Sequence, residues 1–514
     1  NLQTMKVQSS IYATLAILLV SLPGCIKDKG NYSYKDGSPV KIKFQTALID
    51  GLIDNPVTID AIREYSDPTK TAADYGHEWY VSDQLVSNDS ILVYNGAEPG
   101  TLPIMYCMVD KTTKVKYFST NATLRLASPY QSGYSILYEK NGESELAHIR
   151  YDAAQKVYVD DRDIYKRKNN GESLGSKPVK LKNYPVTGVW SLVVMQQGGQ
   201  GTVELDSYSL QKRLKLRDAF AGSAPANIDP INMGFYPNAH LLVNTNGEVY
   251  PRLFSSSPVP FSMPWLNIPM TTLHGMKITD LWNSYSNANL MNFMYDALNN
   301  RILYLSLNGP NTTGGWVVID TLPSPAPATP YPADHVNFNH MGNQEYVWGG
   351  SFNEIPNSGS GASTEGVVLM RKPGETQIYL QSFTVRNVNR VITFSPKARK
   401  PFTGSSLVNA DSKYIGIKNR NFIFFSGGPG NTDLYYYDMI TGNAAKLFTS
   451  FTSKITAMSQ SDNFLELAVG LEDGTVVLYN ISDASLVLPA PVELHRMTGL
   501  GRIADITVKN SIMR

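Results

Sequence analysis

From Pro39 to about Ser128 the apolar positions fall in short bursts: VKIKF, PVTIDAI, HEWYV, SILVY, PIMYCMV, VKYFST and ATLRL. Turn signals such as Asn95-Gly96 and Glu98-Pro99-Gly100 separate them. About seven strands in about 90 residues is the size of an immunoglobulin-like β-sandwich. Trp79 lies in the third burst, where such sandwiches bury a large aromatic against the opposite sheet; the alternative is an exposed, ligand-stacking ring.

Beyond Pro129 the pattern becomes longer paired units, each an apolar strand, a tight turn and a second strand rich in aromatic or β-branched residues. GYSILYEKNGESELAHIRYD turns at Asn141-Gly142 and LELAVGLEDGTVVLYNI at Asp473-Gly474, both strong hairpin signals. Similar units are VWSLVVMQQGGQGTVELDSY, HLLVNTNGEVYPRLF, MNFMYDALNNRILYLSL, EGVVLMRKPGETQIYLQSF and NFIFFSGGPGNTDLYYYDMITGNAAKLF. No long stretch has helical periodicity. Recurring four-strand-sized units predict an all-β chain whose residues 129–514 form a β-propeller of about seven blades; six or eight also fit. Spread over 514 − 128 = 386 residues, seven blades average about 55 residues, above the usual 40 to 50. The excess fits Pro-rich and Gly/Ser-rich insertions at 321–332 and 353–366.

The start of the chain has a different pattern. Lys6, the apolar run Ile11–Val20 and the small Gly24 before Cys25 form an export signal too short to span a bilayer. Leu22-Pro23-Gly24-Cys25 resembles the bacterial lipobox, which makes residues 1–24 a signal peptide and Cys25 the lipidated first residue of a mature chain of 514 − 24 = 490 residues. An ordinary secretory signal beside an incidental cysteine is the alternative. Residues 25–36 are polar and turn-rich, suited to a tether, and the sandwich then occupies 37–128.

Composition narrows the function. With 42% hydrophobic and 17% charged residues the chain can build more than one core, and a net charge of +1 provides no field to attract nucleic acid. The clusters Lys166-Arg167-Lys168 and Lys177, Lys180, Lys182 read as solvated loops. Cys107, the second of two cysteines, sits in an apolar run and reads as a small buried hydrophobe.

The lipobox, the following KDKGNYSYKD, the HEWYV strand and GYSILYEKNGESELAHI together resemble the PKD-like family of outer-membrane lipoproteins of Bacteroidetes, most specifically at Gly30–Asp36 and Gly133–His148. The resemblance implies a surface-exposed accessory, encoded beside SusC-like and SusD-like importer components, that captures or presents glycan or peptide. It brings no catalytic residues and no cofactor.

Three motifs that would each bring a specific chemistry are absent: no P-loop, no H-E-x-x-H, no paired C-x-x-C. Asp334, His335 and His340 are a weak zinc candidate whose spacing matches no common site. Asp160, Asp161 and Asp163 lack the ligand alternation of a calcium loop. Glu143 with Glu145, and Glu472 with Asp473, sit beside hairpin turns, where carboxylates face water. Large aromatics in loops are better candidates for ligand binding: Trp265, Trp282, Trp316 and Trp348, although packing between blades is the commoner fate of such rings. Tyr435–Tyr437 alternate along a strand, which puts at least one ring in the core. The expectation is a non-catalytic binding or docking protein; the alternative is an exported propeller enzyme, a glycan hydrolase or lyase. Two acids, or an acid and a histidine, in the propeller funnel point to catalysis; an aromatic, acid-poor groove points to binding.

Overall fold

A computed structural model of the chain describes residues 39–186, 189–236, 239–253, 263–283, 292–308, 316–323, 332–356, 361–388 and 391–509. Cys25, the signal segment and the tether lie outside the described residues. The chain divides into two compact units. The first takes the chain up to Ile49 together with Val57–Tyr94 and Thr101–Leu124; the second takes Asp50–Pro56, Asn95–Gly100 and Arg125 onward.

In the first unit the main sheet runs in the order Leu48–Leu52, Ala122–Ala127, Gly100–Asp110, Tyr75–Val81, Gln84–Ser87, and Lys116–Phe118 pairs with Gly100–Asp110. Val40–Lys43 pairs with Ile62–Tyr65, and Val57–Ile59 with Leu92–Tyr94. The bursts of apolar residues become these strands because alternate side chains turn inward: Tyr75, Trp79 and Val81 are buried along one strand. The Trp79 ring is fully buried 4.5 Å from the Tyr106 ring, and its Nε1 donates to the Asp89 carbonyl at 3.0 Å. Trp79→Ala is expected to cost about 3–5 kcal/mol of this unit's stability, read from its chemical unfolding midpoint. Cys107 is also buried, and desolvation pushes its thiol up to about 11, which makes it unreactive.

The second unit contains, among the described residues, seven antiparallel sheets in chain order, and these are the blades of a propeller. Their innermost strands are Arg502–Lys509 (blade 1), Ser176–Val186 (blade 2), Pro230–Tyr236 (blade 3), Ile278–Asn283 (blade 4), Glu345–Pro356 (blade 5), Tyr414–Gly416 (blade 6) and Ile455–Gln460 (blade 7). Each innermost strand contacts that of the next blade, and blade 7 contacts blade 1, so the ring is closed. Closure comes from the last described strand: Arg502–Lys509 pairs with Gly133–Lys140, placing Ile506 opposite Ile136, and the rest of blade 1 comes from the start of the unit.

The seven hairpins legible in the sequence are the second and third strands, counted from the innermost, of the seven blades, from Gly133–Lys140 with Glu143–Asp152 to Glu466–Leu471 with Val476–Asn480. Both faces of these strands pack against neighbouring blades, hence their near-continuous apolar runs. Leu137, Leu146, Leu192 and Val194 form one such inter-blade core, and Ile136, Ala468, Ile503 and Ile506 another. Asn141 and Gly142 are both left-handed, with φ of 55° and 78°, as a two-residue hairpin turn requires. The second turn differs: four residues, Glu472–Thr475, connect its strands, and of them Gly474 alone has positive φ.

The loop expected around Lys177, Lys180 and Lys182 is instead the innermost strand of blade 2. Lysines at alternate positions of SKPVKLKNYPV conceal a strand that has Leu181 buried on one face. Lys166-Arg167-Lys168 belongs to a short helix, Ile164–Lys168; Lys166 pairs with Glu143, and Arg167 with Asp161 at 2.6 Å.

Blade 1 also buries His148, whose ring nitrogens meet Ser135 Oγ at 3.2 Å and the Ser132 carbonyl at 2.8 Å. Burial, aided by nearby Lys509, pulls it down to about 3. The unfolded chain takes up that proton near pH 6.5. The histidine's stabilising contribution is therefore complete above about pH 6.5 and is lost as pH falls toward 3. The unfolding midpoint of the second unit should fall across that window, with a smaller slope in His148→Gln.

Candidate functional site

The channel wall is built from a repeated irregularity. In six blades the innermost strand carries an extra residue: Ala504, Val179, Ile231, Thr279, Val347 and Thr456 in blades 1, 2, 3, 4, 5 and 7, with a second, Phe352, in blade 5. Such a bulge breaks the period-2 alternation and re-aims the side chain that follows. The residues that follow the first six are Asp505, Lys180, Asn232, Asp280, Trp348 and Ala457, and several of them bond across to a neighbouring blade. Asp505 Oδ2 accepts from the Leu181 amide of blade 2 at 2.9 Å. Asn232 Nδ2 donates to the Leu281 carbonyl of blade 4 at 2.8 Å. The Tyr346 hydroxyl of blade 5 donates to Asp280 Oδ2 at 2.6 Å. The Trp348 ring stacks on Tyr414 of blade 6, with centroids 5.7 Å apart.

The residues re-aimed by these bulges thus include the carboxylates Asp505 and Asp280 and the amine Lys180, with Lys182 two positions further along the same strand. Lys182 is pulled down to about 7, first by burial and then by Lys180, against the opposing pull of Asp505 and Asp280. Burial pushes the Asp505 carboxyl up, opposed by Lys180 and by the Leu181 amide. Both carboxylates also hold backbone: Asp280 Oδ1 accepts from the Leu281 amide at 2.8 Å, as Asp505 does from Leu181. Their sequence context, a lone acid in ITDLWN and in RIADITVK, contains no motif; the one available signal is a polar residue interrupting an apolar strand.

The tryptophans are placed as follows. Trp265 is fully buried among the core residues of blades 2 and 3, 4.6 Å above the Arg252 guanidinium, so the ring offered to a ligand by the sequence is a core ring here. Beneath it Arg252 pairs with Glu204 at 2.7 Å, and the Tyr184 hydroxyl donates to Glu204 at 3.0 Å; Arg252 and Glu204 are both almost completely buried. Trp282 is buried against Phe293 and Tyr346 in the core of blades 4 and 5. Its ring lies on Gly349, where an added Cβ would come within 2.6 Å, while Gly350 is covered by the Trp348 ring. The glycine pair beside Trp348 thus makes room for two indoles, and Trp348 itself is half-buried. Trp316 opens the outer strand of blade 4; its side chain lies outside what is described.

The acidic and histidine candidates are engaged elsewhere. Asp160 meets His495 Nε2 at 2.6 Å, Asp161 binds Arg167 and accepts from the Tyr130 hydroxyl at 2.7 Å, and Asp163 accepts from the Tyr138 hydroxyl at 2.6 Å. His335 Nδ1 accepts from Gln381 Nε2 at 2.7 Å, whereas Asp334 and His340 are exposed. Among the described residues no group of three acidic, histidine or cysteine side chains is placed to hold a metal ion. Glu145 is buried, accepts the amides of Leu146 and Tyr165 at 2.9 and 2.8 Å, and is pushed up by burial; its neighbour Glu143 pairs with Lys166. Glu472 and Asp473 are exposed at their turn.

A groove of about 580 Å³ opens on the outer strands of blade 6 and the segment after the third strand of blade 7. It is lined by the rings of Phe422, Tyr436 and Phe448, by the polar Asp438, Asn443, Lys446 and Asp483, and by Leu486–Pro489. Val487 and Leu488 are 82% and 50% exposed, an unusual position for two adjacent aliphatic side chains. Strand alternation sends Tyr437 into the core and Tyr436 to the groove, as the Tyr435–Tyr437 run required. The sequence analysis missed SLVLPAP, whose apolar residues lie between Ser/Asp/Ala and Pro in no strand pattern.

Residues 25–178 match the PKD-like family. That stretch includes the sandwich strands and continues through the blade 1 strands up to Val157–Asp161. Comparison with curated protein sequences finds no match. Among solved structures, a quinonprotein alcohol dehydrogenase-like protein from Bacteroides thetaiotaomicron is similar at TM-score 0.40 and 14% identity, covering 91% of this chain and 97% of that one. Sqt1 from Saccharomyces cerevisiae is similar at 0.38 and 13%, covering 65% and 78%. The Dos1 propeller is similar at 0.35 and 10%, covering 64% and 88%.

Proposed function

We propose that this chain is a non-catalytic binding protein: a surface-exposed outer-membrane lipoprotein, anchored through Cys25, that binds a glycan or peptide or docks as an accessory to a SusC/SusD-like nutrient importer. The observation that carries the binding part is the groove on blades 6 and 7, where aromatic rings, an amide, two carboxylates and an amine share one open cleft, the usual mixture of a ligand site. Trp348, half-buried, and Trp316 remain candidate contacts. The acids singled out in the sequence support the same reading, since Asp160, Asp161, Asp163 and Glu145 each hold a structural partner. The alternative, a glycan hydrolase or lyase, is favoured by Asp280 and Asp505 on the channel wall.

Isolation from membranes in mild detergent tests the assignment. Labelled palmitate should enter the wild-type chain and not Cys25→Ser, and importer components should co-purify. Release of the wild-type chain without detergent, or its recovery alone with cleavage of a defined glycan, contradicts it.

A further inference from the structure

The groove on blades 6 and 7 does not end at Phe448. A second cleft of about 360 Å³ adjoins it, lined by Thr449–Thr452 and by Asp473, Tyr479, Glu493 and Arg496. Pro491 lines both cavities, and the outermost strand of blade 6, Lys446–Ser450, runs from one into the other: Lys446–Phe448 line the groove, Thr449 and Ser450 the second cleft. Aromatic rings follow the same path. Tyr436 lies 6.5 Å from Phe448, Phe448 5.3 Å from Tyr479, and Tyr479 6.3 Å from Phe451, centroid to centroid. A strand of this length measures about 17 Å, so the two cavities make one track longer than a single sugar ring.

An extended peptide binds an outer strand by adding to its edge, with main-chain hydrogen bonds supplying the affinity. This track has no regular edge to offer. Leu447 pairs with Tyr435 and Thr449 with Leu434, which leaves Phe448 as an extra residue, and a bulge of this kind protects an edge from pairing. The segment Val487–Pro491 is in no strand, and its Pro489 and Pro491 have no amide hydrogen to donate. What the track presents is side chains: rings in the groove, then the hydroxyls of Thr449, Ser450 and Thr452 with a guanidinium and carboxylates in the second cleft. A sugar chain matches that sequence of groups, since each unit has an apolar face and a rim of hydroxyls that both donate and accept. Four carboxylates, Asp438, Asp473, Asp483 and Glu493, line the track against two cations, Lys446 and Arg496, which disfavours an acidic sugar.

We infer that the two cavities together take a neutral oligosaccharide laid along the outer strand of blade 6, with one sugar against the rings of the groove and a further one hydrogen-bonded by Glu493 and Arg496 in the second cleft. Arg496 donates to Glu493 through Nε at 2.9 Å and Nη2 at 2.5 Å, while the two side chains stay 43% and 37% exposed. The pair is thus held in one orientation and still open to a hydroxyl. The inference rests on the groove being a ligand site, and adds to it a ligand class and a second subsite.

The test is titration of linear glucose, mannose, galactose and xylose oligomers, from single sugars to hexamers, into the wild-type chain and two variants, with a peptide panel beside them. Glu493→Ala with Arg496→Ala removes the pair in the second cleft, and Tyr436→Ala with Val487→Asp alters the groove; circular dichroism checks that both variants keep the fold. In at least one sugar series the wild-type affinity should rise on the order of tenfold or more from monomer to tetramer, as two linked contacts require. The second-cleft variant should lose that rise, and the groove variant should lose binding of the whole series. An affinity flat with chain length, a rise that survives Glu493→Ala with Arg496→Ala, or binding of peptides and of no oligomer overturns the inference and leaves the groove a ligand site. Binding of neither class, or binding that the groove substitutions do not diminish, contradicts the groove reading itself and the inference with it.

Discussion

Deleting the chain from Arg502 onward should abolish the cooperative unfolding transition of the second unit. The deletion removes the innermost strand of blade 1 and with it the ladder to Gly133–Lys140. It also removes Ile503 and Ile506 from the core shared with Ile136 and Ala468. Loss of each buried isoleucine is comparable to a truncation costing about 2–5 kcal/mol. A domain's whole stability is about 5–15 kcal/mol, and the deletion leaves an open strand edge besides. Urea titration followed by tryptophan fluorescence should show a broad, non-cooperative change and dye binding by exposed apolar surface. A sharp transition at the wild-type midpoint would mean that the ring does not depend on this strand.

The second large effect is expected at the buried ion pair. Glu204 and Arg252 lie 2.7 Å apart in the core of blades 2 and 3, under Trp265. Removing one partner leaves an uncompensated buried charge, so Glu204→Ala should cost about 3–5 kcal/mol. Replacing both, as Glu204→Leu with Arg252→Met, should recover most of that loss, since the desolvation of two charges disappears together with their attraction. The pair of unfolding midpoints checks this; equal losses in the single and double variants would show that packing of the side chains, and not charge, is what matters.

The parts of the fold that were legible are those where local pattern and tertiary role coincide. Each middle hairpin is apolar because neighbouring blades cover both its faces, and Asn141-Gly142 closes a turn that needs two left-handed residues. The innermost strands were hard to read for the opposite reason. Their channel edge admits polar residues, and a bulge at Val179 or Thr279 breaks the alternation, so KLKNYP resembled a loop. Blade 1 takes a strand from more than 350 positions away, a pairing that no local pattern encodes. The tryptophans marked strategic places, but at Trp265 and Trp282 the demand was to fill space between blades. Asp280, Asp505 and the SLVLPAP wall of the groove carry no motif because strands and segments distant in sequence assemble them.

The most direct test of the account is equilibrium binding of glycan and peptide panels to the protein and to a Tyr436→Ala, Val487→Asp variant, with product analysis of every ligand that binds. Both changes lie in the groove, at half-buried and exposed positions where the fold tolerates them. The account predicts saturable binding by the wild type, a loss of at least about tenfold in the variant, and ligand recovered intact. Binding unchanged by the substitutions, or a ligand returned cleaved, would contradict it.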